Sequence, residues 1–150
     1  MNKHEELAYK YFTEGYNCAQ AVFAAFHEEM GMDERKALRL SSAFGGGMGR
    51  LREVCGAVSG MFMVLGMLYG YDEAENDEVK KLLYSRVQAL ADEFKSEYGT
   101  IICRELIGES GAPTPTPTPR NPEFYEERPC LGFVVSAARI MSEFIQNSKD

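Results

Sequence analysis

Eighteen consecutive residues, Val54 to Tyr71, carry no charge. A helix without a polar face has to be covered on all sides, by protein or by lipid. A bilayer span takes about 20 predominantly apolar residues. This run is shorter and is interrupted by Gly56, Gly60, Gly66 and Gly70. The Gly56–Gly60 spacing lets two helix backbones approach closely. The run therefore reads as a buried central helix from Cys55 to about Tyr69, and no membrane span is expected.

The remaining periodicity is also helical. Leu7, Ala8, Tyr11 and Phe12 form one apolar stripe, which ends at Gly15. Cys18, Ala21, Val22, Ala25 and Phe26 form a second, ending at Gly31. Asp33 can cap a third, with Ala37, Leu40 and Phe44 on its face. Val79, Leu82, Leu83, Val87, Leu90 and Phe94 form the clearest stripe, closed by Gly99. Phe133, Val134, Ala137, Met141, Phe144 and Ile145 form the last, from about Cys130. Acidic residues between Asp72 and Glu78 suit the dipole at a helix start. No alternating segment with flanking turn signals indicates a strand. The expected fold is all-α: a compact bundle of six or seven helices around the glycine-rich apolar helix.

A chain of 150 residues can bury a core as one domain, here residues 1–150. Pro113 to Pro119 alternates proline with threonine, which excludes helix and central strand. It reads as a stiff Pro/Thr-rich surface loop at about 110–122. The net charge of -7 argues against nucleic acid and against anionic lipid as partners. Met1 to Lys10 is polar and has no signal-peptide core. The expected location is cytoplasmic, where cysteines more often serve redox or metal chemistry than structural disulfides.

Four cysteines each stand where a helix is expected to start. Cys18 follows Asn17, Cys55 opens the apolar run, Cys103 follows the Thr100 cap candidate, and Cys130 follows Pro129. Unpaired N–H groups and partial positive charge at a helix start favour a thiolate over a thiol. The cysteines contain no C-x-x-C pair, so any cluster has to be assembled by the fold. Zinc or an iron–sulfur cluster is chemically permitted with four such ligands. The spacing does not select either.

Other candidates have plainer readings. Gly45 to Arg50 could bind an anion through backbone N–H groups. It lacks the G-K-[ST] ending of a P-loop and follows no strand, so a tight interhelical turn is the default. His4 and His27 read as surface residues. Met48, Met61, Met63 and Met67 read as core fillers rather than copper ligands.

The ordered pattern of these residues resembles the C-GCAxxG-C-C family of redox-active four-cysteine proteins. The resemblance rests on Asn17-Cys18-Ala19-Gln20, on Phe44 to Gly49, and on Cys55-Gly56-Ala57-Val58-Ser59-Gly60 with Leu65-Gly66. It continues through Cys103-Arg104-Glu105-Leu106 and Pro129-Cys130. It implies a small helical protein with thiol redox chemistry, in a family often encoded beside transporter genes.

Three functions follow. In the first, a thiol–disulfide or electron-transfer protein, Cys55 is the nucleophile, with Glu53 as a proton acceptor. One of Cys18, Cys103 or Cys130 resolves the intermediate, and the redox partner is unnamed. In the second, Cys18, Cys55, Cys103 and Cys130 ligate zinc or an iron–sulfur cluster. In the third, the chain is a non-catalytic helical interaction module, with a homodimer as one form it can take, and the cysteines only pack.

Overall fold

A computed structural model describes residues 1–109 and 113–149. The part of the expected Pro/Thr-rich loop at 110–112 lies outside the described residues. Eight α-helices form the described fold. They are α1 Lys3–Thr13, α2 Cys18–Ala24, α3 Glu34–Ser41, α4 Gly56–Tyr69, α5 Asp77–Tyr98, α6 Cys103–Ile107, α7 Pro122–Glu127 and α8 Cys130–Asn147. No strand occurs among the described residues; Val54 and Ile102 form an isolated antiparallel bridge. The protein is all-α and compact. No described helix is long and apolar enough to cross a membrane.

Local sequence explains most helix boundaries. Asn2 and Asn17 each close a capping box, reciprocated by Glu5 and Gln20. The Asp33, Asn76 and Asn121 side chains accept N–H bonds at the starts of α3, α5 and α7. Gly99 and Gly108 end α5 and α6 in left-handed conformation. The helix count exceeds the expected six or seven partly because of α7. Its start signal, Asn121 followed by Pro122, abuts the proline-threonine run and reads as loop.

In α4, Gly56 through Met61, Val64 and Leu65 are buried. This helix packs against α2, α5 and α8, while α1 packs along α8. Each buried Val, Met or Leu side chain there contributes roughly 1.5–3 kcal/mol by leaving water. Helix α5 is more peripheral. Only Leu90, Ala91 and Phe94 are buried in it, and Leu82, expected on the inner face, is 50% exposed. Leu40 of α3 is also exposed. Of the methionines expected in the core, Met61 is fully buried whereas Met48 and Met67 are exposed. The histidines depart from the surface reading too. His4 stacks on Phe26 at 4.1 Å and its Nδ1 lies 2.9 Å from Ser142 Oγ. His27 is half-buried against the Met32 carbonyl.

Candidate functional site

All four cysteines stand at helix starts. Cys18, Cys103 and Cys130 are the first residues of α2, α6 and α8, and Cys55 is the N-cap of α4. Close backbone approaches bring these starts together. Helices α2 and α4 cross at Gly56 and Gly60. A Cβ on Gly56 would lie 3.2 Å from the Cβ of Cys18 and 3.0 Å from the Ala19 nitrogen. Next to this crossing, the Val54–Ile102 bridge clips the start of α4 to that of α6. The Cys55 N–H donates to the Ile101 carbonyl at 2.7 Å, and the Cys103 N–H donates to the Glu53 carbonyl at 2.6 Å. Glu53 thus acts here through its backbone.

The glycine-rich turn closes over this pair. Gly47 has a φ of 75°. A Cβ there would lie 2.6 Å from the Cβ of Cys103 and 2.8 Å from the Arg52 Cα. No other residue type fits both the conformation and the space. Met48, Arg50 and Arg52 share the left-handed region, with φ of 69°, 67° and 61°. Such backbone costs non-glycine residues roughly 1–2 kcal/mol each. Strain of this kind concentrates where side-chain direction matters, and here Arg52 reaches Cys103 while Arg50 reaches Thr114 and Thr118.

The four sulfurs consequently share one cavity of about 30 Å³, with Arg52, Leu106, Ile107 and Phe133 among its walls. That is space for about one water-sized molecule. The cysteines are all free, and they fall into two kinds. Cys18 and Cys130 also line a wider groove of about 420 Å³ on the outer side. Cys55 and Cys103 line only the inner cavity.

Their electrostatics differ in the same way. Cys130 is pulled down to about 7, first by the Cys18 thiol facing it and then by Arg128, Arg120 and Arg52. Cys18 is pushed well above its ordinary value, first because its thiol keeps its own proton in the hydrogen bond to Cys130 and then because it is desolvated. The expectation of an activated Cys55 is not met. Its sulfur does receive the N–H groups of Val58 and Ala57, as a helix start should provide. Burial outweighs them and pushes Cys55 up to about 12. Only 4% of Cys55 is exposed, so desolvation of the thiolate dominates over the helix dipole. Burial also raises Cys103, partly offset by Arg52, whose Nη1 donates to Sγ at 3.7 Å.

The wider groove is edged by four arginines, Arg50, Arg52, Arg120 and Arg128. Arg50 joins the glycine-rich turn to the proline-threonine run: its Nε donates to the Thr114 carbonyl and its Nη1 to Thr118 Oγ1, both at 2.9 Å. The run that reads as a plain surface loop therefore forms one wall of the groove. Arg120 stacks over Phe12 at 4.3 Å and donates to the Phe12 and Tyr16 carbonyls, each at 2.9 Å. Arg52 and Arg128 share the Glu109 carboxylate, at 3.2 and 3.5 Å.

Among the described residues, no three His, Cys, Asp or Glu side chains are grouped so as to hold a metal ion. The cysteines share a cavity without forming a ligand cage, so the zinc or iron–sulfur alternative gains no support from this geometry.

A family model described as "Putative redox-active protein (C_GCAxxG_C_C)" matches residues 16–144. The chain belongs to this family. All four cysteines and all four groove arginines lie inside the matched span of this redox-active family. No curated protein and no solved structure matches the chain. Sequence reasoning missed Arg120, Arg128 and Glu109 as members of the site. Arg128 had a local signal, two residues before Cys130. Arg120 and Glu109 had none, because only the fold carries them to the groove.

Proposed function

We propose that the protein is a thiol–disulfide exchange protein in which Cys130 is the nucleophile and Cys18 the resolving thiol. The observation that carries this reading is the facing pair itself. Cys18 and Cys130, from opposite ends of the chain, line both the inner cavity and the open groove, and Arg52, Arg120 and Arg128 line that groove with them; each thiol acts on the other so that charge is favoured on Cys130 and opposed on Cys18. A thiolate near pKa 7 suits attack at neutral pH, where thiolate fraction and nucleophilicity are balanced.

The exchange takes two displacements at sulfur. The Cys130 thiolate attacks one sulfur of a substrate disulfide, forming a mixed disulfide and releasing one substrate thiolate. Cys18 loses its proton to that leaving group and attacks the Cys130 sulfur. The second substrate sulfur departs as a thiolate, and a Cys18–Cys130 disulfide remains. The substrate has gained two electrons and the protein has lost two. With a substrate dithiol the same steps run in reverse. Cys55 and Cys103, which line the inner cavity behind this pair, form a second dithiol able to accept the disulfide by intramolecular exchange.

Mass-spectrometric mapping tests the reading. Reduced protein treated with one equivalent of glutathione disulfide should show a Cys18–Cys130 link as the first intramolecular product. Iodoacetamide at neutral pH should label Cys130 first. Four thiols that stay unreactive, or a first link that omits Cys130, would refute it.

A further inference from the structure

We infer that the Cys18–Cys130 groove selects anionic substrates: small organic disulfides that carry carboxylate or phosphate groups. The inference rests on the exchange reading above and adds the substrate class. A groove of about 420 Å³ lies within the usual range for small-molecule sites, about 300–1,000 Å³.

The charge around the groove is opposite to that of the chain. The protein carries a net charge of -7, yet Arg50, Arg52, Arg120 and Arg128 line this one groove and no Asp or Glu does. Glu109 is the sole carboxylate within ion-pair distance of these guanidiniums among the described residues, and it is divided between Arg52 and Arg128. Arg50 and Arg120 donate only to neutral oxygens, those of Thr114, Thr118, Phe12, Tyr16 and Tyr125. These neutral bonds fix the direction of both guanidiniums and leave their charge unbalanced. Burial and the adjacent Arg52 charge pull Arg50 below its ordinary value, as expected where like charges are held together.

Stabilising Cys130 does not account for all of this charge. One thiolate and one carboxylate face four guanidiniums. The remainder is a fixed, pre-oriented positive field in a concave site, where low-dielectric walls focus it. Guanidiniums pair with carboxylate and phosphate oxygens through two parallel N–H bonds. A disulfide with such groups would be drawn into the groove with its sulfurs over Cys130. A cationic disulfide of the same size would be repelled.

Two measurements test the inference. In the first, the reduced protein reacts with dithiobis-nitrobenzoate, dithiodipyridine and cystamine, which are respectively dianionic, neutral and dicationic. Each second-order rate is divided by that of mercaptoethanol thiolate with the same reagent. The normalised rate for the dianion should exceed that for the dication by at least about tenfold at low salt, and the preference should shrink as salt is raised. The dianion-to-neutral ratio should fall several-fold in Arg50→Gln and be largely kept in Arg50→Lys.

The second measurement needs no thiol. The Cys18→Ser/Cys130→Ser protein is titrated with inorganic pyrophosphate while the arginine Nε–Hε resonances are followed by NMR. Saturable shifts are expected at Arg50 and Arg120, with none at Arg35 or Arg86 outside the groove. Equal normalised rates for the three disulfides, or pyrophosphate shifts no larger in the groove than at Arg35 and Arg86, overturn the inference. Thiols inert to all three reagents, with saturable pyrophosphate binding, would sink the exchange reading and leave the anion site standing.

Discussion

The backbone at Gly60 runs so close to Ala19 that a Cβ there would lie 2.9 Å from the Ala19 carbonyl oxygen. The same Cβ would meet the Val22 Cβ at 3.2 Å. Gly66, six residues further along α4, faces open space, with no atom beyond its own helix backbone within 4 Å of such a Cβ. The two glycines therefore predict opposite outcomes. Gly60→Ala should destabilise the fold by about 1–3 kcal/mol, since overpacking between two backbones outweighs helix propensity. Gly66→Ala should stabilise it by about 0.5–1 kcal/mol. Thermal unfolding monitored by circular dichroism distinguishes them: a shift of about 2–4 °C per kcal/mol is expected at this size. Equal effects from both substitutions would mean that α2 and α4 do not cross at Gly60.

Alkylation against pH gives the second prediction. Cys130 should titrate with a midpoint near its value of about 7, so its rate rises from pH 5 to 8 and then levels. Cys55, pushed up to about 12, should remain unlabelled in the native protein across that interval. Isotope-coded iodoacetamide with peptide mapping reads both residues in one experiment. A faster Cys55 would restore the helix-start argument and displace Cys130.

Removing Cys18 separates its two roles. In Cys18→Ala the thiol that most favours charge on Cys130 is lost. The alkylation midpoint of Cys130 should move up toward the ordinary thiol value, and the mixed disulfide formed by Cys130 should accumulate for lack of a resolving thiol. An unchanged midpoint would show that the arginines alone set the charge state.

Glu109→Gln has the opposite sign from most charge deletions. The carboxylate bridging Arg52 and Arg128 disappears, and both guanidiniums are freed toward the groove. The Cys130 midpoint should fall, and reaction with an anionic disulfide should accelerate relative to a neutral one. A slower reaction would assign Glu109 to proton transfer rather than to charge balance.

The architecture was largely legible because helical signals are local. Caps at Asn17 and Asp33 and the apolar stripe of α8 are short-range patterns that survive without tertiary context. The gathering of four cysteines at helix starts was legible for the same reason. What failed required knowledge of burial. At Cys55, the helix dipole and desolvation act in opposite directions, and only the fold shows that burial is nearly complete. At Leu82, a clean helical period did not reveal that α5 lies at the periphery. The groove arginines were hidden differently: Arg120 reaches the Phe12 carbonyl of α1 and the Tyr16 carbonyl just after it from more than a hundred residues downstream, and no local pattern encodes that contact.

The thiol pair also ties chemistry to biosynthesis. Cys18 lies on the second helix and Cys130 opens the last, so neither has its partner until α8 has been made and docked. Before then each is an ordinary thiol with a pKa near 8.5, mostly protonated in a neutral cell. Folding therefore redistributes reactivity among the four thiols: burial in the finished fold holds Cys18, Cys55 and Cys103 protonated while Cys130 gains its charge, so a nascent or heat-damaged chain exposes four ordinary thiols in place of one acidic one.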